Sequence, residues 1–197
     1  MAVHPFRLTL AFLAMCFVAT LTAADLKPTA EGMAIEAGSL GSFTLTYPEF
    51  IDGAQAAVHK KIETKLDGGV ASVRYEGGAI VEASAKGGQI TLNFKVVPAD
   101  VKSWKMTMLI DIGFAKGGSW KAGKTEGVFP MEKGKVPQFH STNGSLLQIK
   151  SAQGQSLSFT VPDYAFQQLT DNREWNWAVY QWQFIVPYNA DQPTATV

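Results

Sequence analysis

Apolar and polar side chains alternate with period two along most of the chain, and that period restricts it to sheet. Successive side chains of a strand point to opposite faces, so a strand with one buried face is apolar at every second residue. From Gln89 to Val97, Ile90, Leu92, Phe94 and Val96 alternate with Thr91, Asn93 and Lys95. Met106, Met108, Ile110, Ile112 and Phe114 repeat the period, as do Phe43, Leu45 and Tyr47, and then Leu157, Phe159 and Val161. Each run is read as a strand with one core face.

Paired glycines punctuate these runs. Gly68-Gly69, Gly77-Gly78 and Gly87-Gly88 are spaced by one strand plus one tight turn, and glycine supplies the positive φ angles of two-residue hairpins. Residues 56 to 98 are therefore expected to form an antiparallel meander, with Gly117-Gly118 and Gln153-Gly154-Gln155 turning later hairpins. The expected fold is all-β: an antiparallel two-sheet β-sandwich, jelly-roll or supersandwich-like, containing a glycine-turned meander. The segments Ser42–Phe50 and Ser156–Tyr164 are alike, each an alternating strand closed by Pro48 or Pro162, an acid and an aromatic. Proline as a strand stop explains the likeness as well as duplication does. Asp163 to Glu174 breaks the alternation and is read as a helical turn or ordered loop before a final aromatic strand, Trp175 to Tyr188.

The first residues follow another logic. Arg7 precedes an apolar stretch containing Leu8, Leu10, Phe12, Leu13, Phe17, Val18 and Leu21, and Thr22-Ala23-Ala24 offers small side chains for cleavage. Such a stretch is shorter than the roughly 20 residues of a membrane-spanning helix and reads as a secretory signal peptide. The expected division is a signal peptide over 1–24, one domain over 25–189 and a flexible tail over 190–197; a lipoprotein signal ending at Cys16 is the rival for the leader. Export to the periplasm or the extracellular medium follows, with no membrane insertion of the mature domain.

Cys16 is the only cysteine and lies within that leader, so thiol nucleophiles and cysteine metal sites are excluded from the exported domain. The remaining length of about 170 residues suffices for one core without staples. Seventeen Lys and Arg balance 17 Asp and Glu, and their scatter leaves no footprint for nucleic acid. No nucleophile elbow is present, since Gly38-Ser39-Leu40-Gly41-Ser42 has the wrong order. Two distant histidines, His59 and His140, do not make a zinc site, and Asp163, Asp171 and Glu174 lack calcium-loop spacing. No cofactor or metal ligand is assigned, with a structural calcium on a sheet edge left open. His59 reads as a solvated surface residue. His140 begins a loop, where function concentrates.

The segment Asp171-Asn172-Arg173-Glu174-Trp175-Asn176-Trp177, continuing to Phe184, carries the sharpest functional signal. On an unbroken strand, Ala178, Tyr180, Trp182, Phe184 and Val186 would face the core, and Trp175, Trp177, Val179, Gln181 and Gln183 would face outward. Indoles interleaved with amides suit stacking on a sugar ring and hydrogen bonding to its hydroxyls. The candidate ligand-binding residues are Trp175, Trp177, Gln181, Gln183, Asn172, Arg173 and His140, with Trp104 and Trp120 as weaker additions to the same surface. Plain core closure by the aromatics, and a local ion pair between Arg173 and Asp171 or Glu174, are the competing structural readings.

With its leader, its alternation and its aromatic and amide residues, the chain resembles carbohydrate-binding β-sandwich modules in general, without matching a motif residue by residue. The expected function is secreted, non-catalytic recognition of a polysaccharide or glycan, beside a partner enzyme or a cell-surface protein. Two alternatives stand next to it. One is a jelly-roll polysaccharide lyase or a glycoside hydrolase; the lyase would use His140, Tyr180, Asn172, Arg173 and Gln181, and would require Tyr180 to leave the core. The other is a cell-surface structural protein that binds partners along an exposed sheet edge.

Overall fold

The structure is a computed structural model that describes residues 24–134 and 136–197. The leader, including the rival cleavage at Cys16, lies outside the described residues apart from Ala24. The strands in chain order are β1 (Asp25–Pro28), β2 (Gly32–Glu36), β3 (Ser42–Thr46), β4 (Glu49–Ile51), β5 (Ala57–Val58), β6 (Lys61–Asp67), β7 (Val70–Tyr75), β8 (Ile80–Lys86), β9 (Gln89–Val96) and β10 (Ser103–Asp111). A one-turn helix, α1 (Ile112–Ala115), separates these from β11 (Ser119–Ala122), β12 (Thr125–Val128), β13 (Gln138–Asn143), β14 (Leu146–Lys150), β15 (Ser156–Thr160), β16 (Phe166–Asp171), β17 (Val179–Pro187) and β18 (Thr194–Thr196).

Among the described residues these strands build three antiparallel sheets. The largest has nine strands, ordered β1-β2-β3-β10-β17-β16-β13 with β4 and β5 attached beside β10. A five-stranded sheet runs β18-β9-β8-β7-β6, and a four-stranded sheet runs β12-β11-β14-β15. The meander expected between 56 and 98 is the consecutive run β6 to β9, and each of its glycine pairs has positive φ at both residues. Gly154, with φ of 87°, turns β14 into β15 as expected.

The alternation has its predicted consequence in the core. Ile90, Leu92, Phe94, Met106, Met108, Ile110, Tyr180, Trp182 and Phe184 are all buried in one cluster fed by all three sheets. An aromatic ladder crosses that cluster: Tyr188 to Phe94 at 5.7 Å, Phe94 to Trp104 at 5.4 Å, Trp104 to Phe184 at 5.9 Å, Phe184 to Trp182 at 5.0 Å and Trp182 to Phe159 at 5.1 Å. The buried phenylalanines of the ladder, Phe94 and Phe184, each contribute about 1.5–3 kcal/mol through burial. Trp104 and Trp120, expected near a binding surface, are 2% and 7% exposed and belong to this core.

The structure departs from the expected elements at four places. β10 stops at Asp111 although Ile112 and Phe114 continue the period, because the Asp111 carboxylate accepts the N–H groups of Gly113 (2.7 Å) and Phe114 (3.2 Å) and caps α1. Gly117-Gly118 consequently leads from a helix into β11 instead of joining paired strands. The segment expected as loop or helical turn contains β16, whose inward residues are Gln167, Leu169 and Asp171; two of the three are polar, which hid the strand. The expected flexible end contains β18, held on β9 by reciprocal bonds between Ile90 and Val197 at 2.8 and 2.9 Å.

Candidate functional site

The aromatic segment is not one strand. Asn172–Trp175 form a 3-10 turn, Asn176 ends it in the left-handed conformation at φ of 57°, and β17 begins only at Val179. Asp171 decides this. Its Oδ1 accepts the Arg173 N–H at 3.1 Å and the Arg173 Nε–H at 2.9 Å, while Oδ2 accepts from Nη2 at 2.6 Å. One carboxylate thus caps the turn and pairs with the guanidinium it contains. Burial pushes the Asp171 carboxyl up, and Arg173 more than offsets this, leaving it below the ordinary carboxylate value.

The turn is pinned from outside as well. Arg173 also donates to the carbonyls of Pro130 (2.9 Å) and Met131 (3.0 Å), and its guanidinium lies 5.5 Å from the centre of the Tyr180 ring. Glu174 pairs with Lys133 at 2.8 Å. Trp175 and Trp177 project from this braced turn 62% and 50% exposed. Indoles held open to solvent on a fixed backbone are a pre-organised contact surface, since little ordering entropy remains to be lost on binding.

Beside the turn lies the outer face of β10, β17, β16 and β13. Its residues alternate with buried ones, so Thr107, Gln183, Gln168 and Ser141 form one row across four strands, and Leu109, Gln181, Thr170 and Gln138 form the next. All eight side chains are uncharged and at least partly exposed. Gln168 Nε2 donates to Gln138 Oε1 at 2.5 Å, and Asn172 Nδ2 donates to Gln181 Oε1 at 2.9 Å, tying the turn to the nearer row. The charged pair Lys105 and Glu49, 2.6 Å apart, lies outside both rows on the same sheet.

The proposed residues therefore separate into three groups. Gln181 and Gln183 face outward as expected, and Trp175 and Trp177 are exposed on the adjoining turn. Asn172 and Arg173 are internal braces, because Asn172 is buried and Arg173 is engaged by Asp171. His140 stands apart: it lies within β13, opposite Leu169, with its ring 4.2 Å from that of Trp120 and Nε2 2.9 Å from Thr125 Oγ1. Partial burial lowers its pKa. Thr107, Gln168, Thr170, Gln138 and Ser141 were not singled out from sequence, since only strand register brings them beside Gln183 and Gln181.

The residues of the lyase alternative do not meet at an open surface. Tyr180 keeps to the core face, fully buried, and its hydroxyl donates to the Pro130 carbonyl at 2.5 Å. Among the described residues no three His, Cys, Asp or Glu side chains gather as a metal site requires, and no helix is long and apolar enough to cross a membrane. Comparison with protein-family models, with curated proteins and with solved structures finds no match for the chain.

Proposed function

We propose that the protein is an exported, non-catalytic binding module for a polysaccharide or glycan, recognised on the outer face of β10, β17, β16 and β13 and by the turn at its end. The observation that carries this reading is the pair of uncharged rows, rich in amides and hydroxyls, next to two solvent-exposed indoles on a braced turn. Sugar hydroxyls exchange hydrogen bonds with amides in both directions, and the C–H face of a pyranose packs on an indole. Two rows free of charged side chains favour a neutral polymer over a polyuronate. The same reading takes the three sheets as a sandwich of jelly-roll type, places the mature protein in the periplasm or outside the cell, and allows a partner enzyme acting on the bound polymer.

The test is affinity electrophoresis through gels containing neutral and acidic polysaccharides, followed by a glycan array. Retardation by at least one neutral polymer is expected, with Trp177→Ala and Gln183→Ala each weakening it about tenfold, the loss of one good contact. Binding that both variants retain in full would remove this face from consideration.

A further inference from the structure

A second recess lies away from the amide face, where the three sheets come together. It has a volume of about 650 Å³ and is walled by Leu26, Ile35, Leu40, Ile90, Leu157 and Phe159, with no charged residue among its described lining. Among the described residues the core is incompletely covered here. Leu147 and Ile149 on β14 are fully buried, but Leu157 and Phe159, their register partners on β15, remain only partly covered, as do Leu26 and Val197.

The recess is bordered by strands that end their sheets. β1, β15 and β18 are each terminal in the strand order, and residues of all three contribute to its wall. The hydrogen-bond phase of β15 determines what it presents. Val161 N–H bonds to Ser145 O and Ser151 N–H to Gln155 O, both at 2.8 Å, so the odd-numbered residues of β15 pair with β14. The main-chain N–H and C=O groups of Ser156, Ser158 and Thr160 therefore point away from β14, to an edge that pairs with no other strand among the described residues. Their residues also line the recess.

From this geometry we infer that β15 and the adjoining recess form a strand-addition site for an extended segment of a partner protein, uncharged and apolar at alternate positions. Two requirements select that occupant. The partly covered Leu157, Phe159 and Leu26 need apolar side chains above them, and the edge groups of Ser156, Ser158 and Thr160 need donors and acceptors in register. An acyl chain meets only the first and would bury those peptide groups unpaired, which is costly. An extended peptide meets both, with main-chain bonds along the edge and every second side chain in the recess. The inference is independent of the carbohydrate reading, because the two surfaces share no residue.

The experiment uses the mature chain and a fluorescent nonapeptide alternating Val and Thr, with Lys-Lys at each end for solubility. Its control carries the same side chains with alternate peptide nitrogens methylated on the pairing edge. The expected result is saturable binding of the first peptide, raised hydrogen-exchange protection at Ser156, Ser158 and Thr160, and binding of the control at least about tenfold weaker, the loss of one or two main-chain bonds. Thr160→Lys, a charge on an exposed edge position, is expected to weaken binding with no change in melting temperature. Equal binding of the methylated peptide, binding of palmitate in place of either peptide, or no binding at all would overturn the proposal. So would a dimer that buries this same edge, since the occupant would then be a second copy.

Discussion

The indole N–H of Trp182 donates to Oε1 of Gln167 at 3.0 Å, with both side chains buried. The amide nitrogen of the same Gln167 donates to the carbonyls of Gly144 (2.6 Å) and Leu146 (3.2 Å). One side chain thus satisfies the polar atom of a core tryptophan and fixes the turn between β13 and β14. Gln167→Leu would leave the Trp182 N–H and the Gly144 carbonyl unpaired, and is expected to cost about 2–4 kcal/mol. Urea denaturation monitored by circular dichroism checks this; a loss below about 1 kcal/mol would mean that other groups take over both bonds.

Removing the partner of Asp171 should be costly for a related reason. In Arg173→Ala the carboxylate, 4% exposed, would keep only its backbone bond to residue 173, and destabilisation of about 1.5–3 kcal/mol, the loss of hydrogen bonds to a charged group, is expected. The turn bearing Trp175 and Trp177 should loosen with it, read as faster amide exchange at residues 172–177.

Three groups contribute to the acid response: His140, Asp171 and Asp100, whose carboxyl the hydrogen bond from His59 holds below its ordinary value so that it shares the lower step with Asp171. His140 has a folded pKa depressed by partial burial, so the unfolded chain takes up a proton first, and stability present above about pH 6.5 is lost as pH falls towards the folded value. Burial raises the Asp171 pKa, but the bonds from Arg173 leave it depressed overall; its contribution is held above about pH 3.9 and lost as pH falls through the folded value. Stability should therefore decline in two steps on acidification. In His140→Gln the upper step should vanish while the lower one persists, measured as melting temperature between pH 3 and pH 8.

The chain has five tryptophans, of which Trp104, Trp120 and Trp182 are buried and Trp175 and Trp177 are 62% and 50% exposed. Native fluorescence should contain a fraction readily quenched by acrylamide. The double variant Trp175→Ala, Trp177→Ala should lose that fraction and shift its emission to the blue, with stability changed by no more than about 0.5 kcal/mol. Persistence of the quenchable fraction would place another indole at the surface.

Gly77 and Gly87 both sit in meander turns at positive φ, 69° and 57°, but their surroundings differ. A Cβ at Gly77 would come within 2.5 Å of His59 Nδ1, whereas one at Gly87 meets nothing within 4 Å. Alanine at Gly87 is expected to cost about 1 kcal/mol for the backbone alone, and alanine at Gly77 more. His59, read from sequence as a solvated residue, is held there by Asp100 at 2.9 Å with its side chain 17% exposed. Equal losses in thermal melts would show that the imidazole swings away freely.

The sequence by itself determined most of the strands that have one apolar face and the hairpins closed by the glycine pairs of the meander, because alternation and positive φ are local properties of the chain. It also assigned the core face of β17 correctly, since Tyr180, Trp182, Phe184 and Val186 are buried. Tertiary structure decided what happens where polar side chains are buried. β16 escaped recognition because Gln167 and Asp171 point inward, which is tolerable only when Trp182, Gly144 and Arg173 supply partners distant in the chain or folded back from the next turn. Trp175 and Trp177 left the strand for a turn because the Asp171 carboxylate captures the backbone and guanidinium of Arg173. The amide rows of the proposed carbohydrate face and the walls of the apolar recess exist only through register and sheet order, which place residues from separate parts of the chain side by side. Single-strand periodicity indicates which way a side chain points; its neighbours across the sheet are set by pairing.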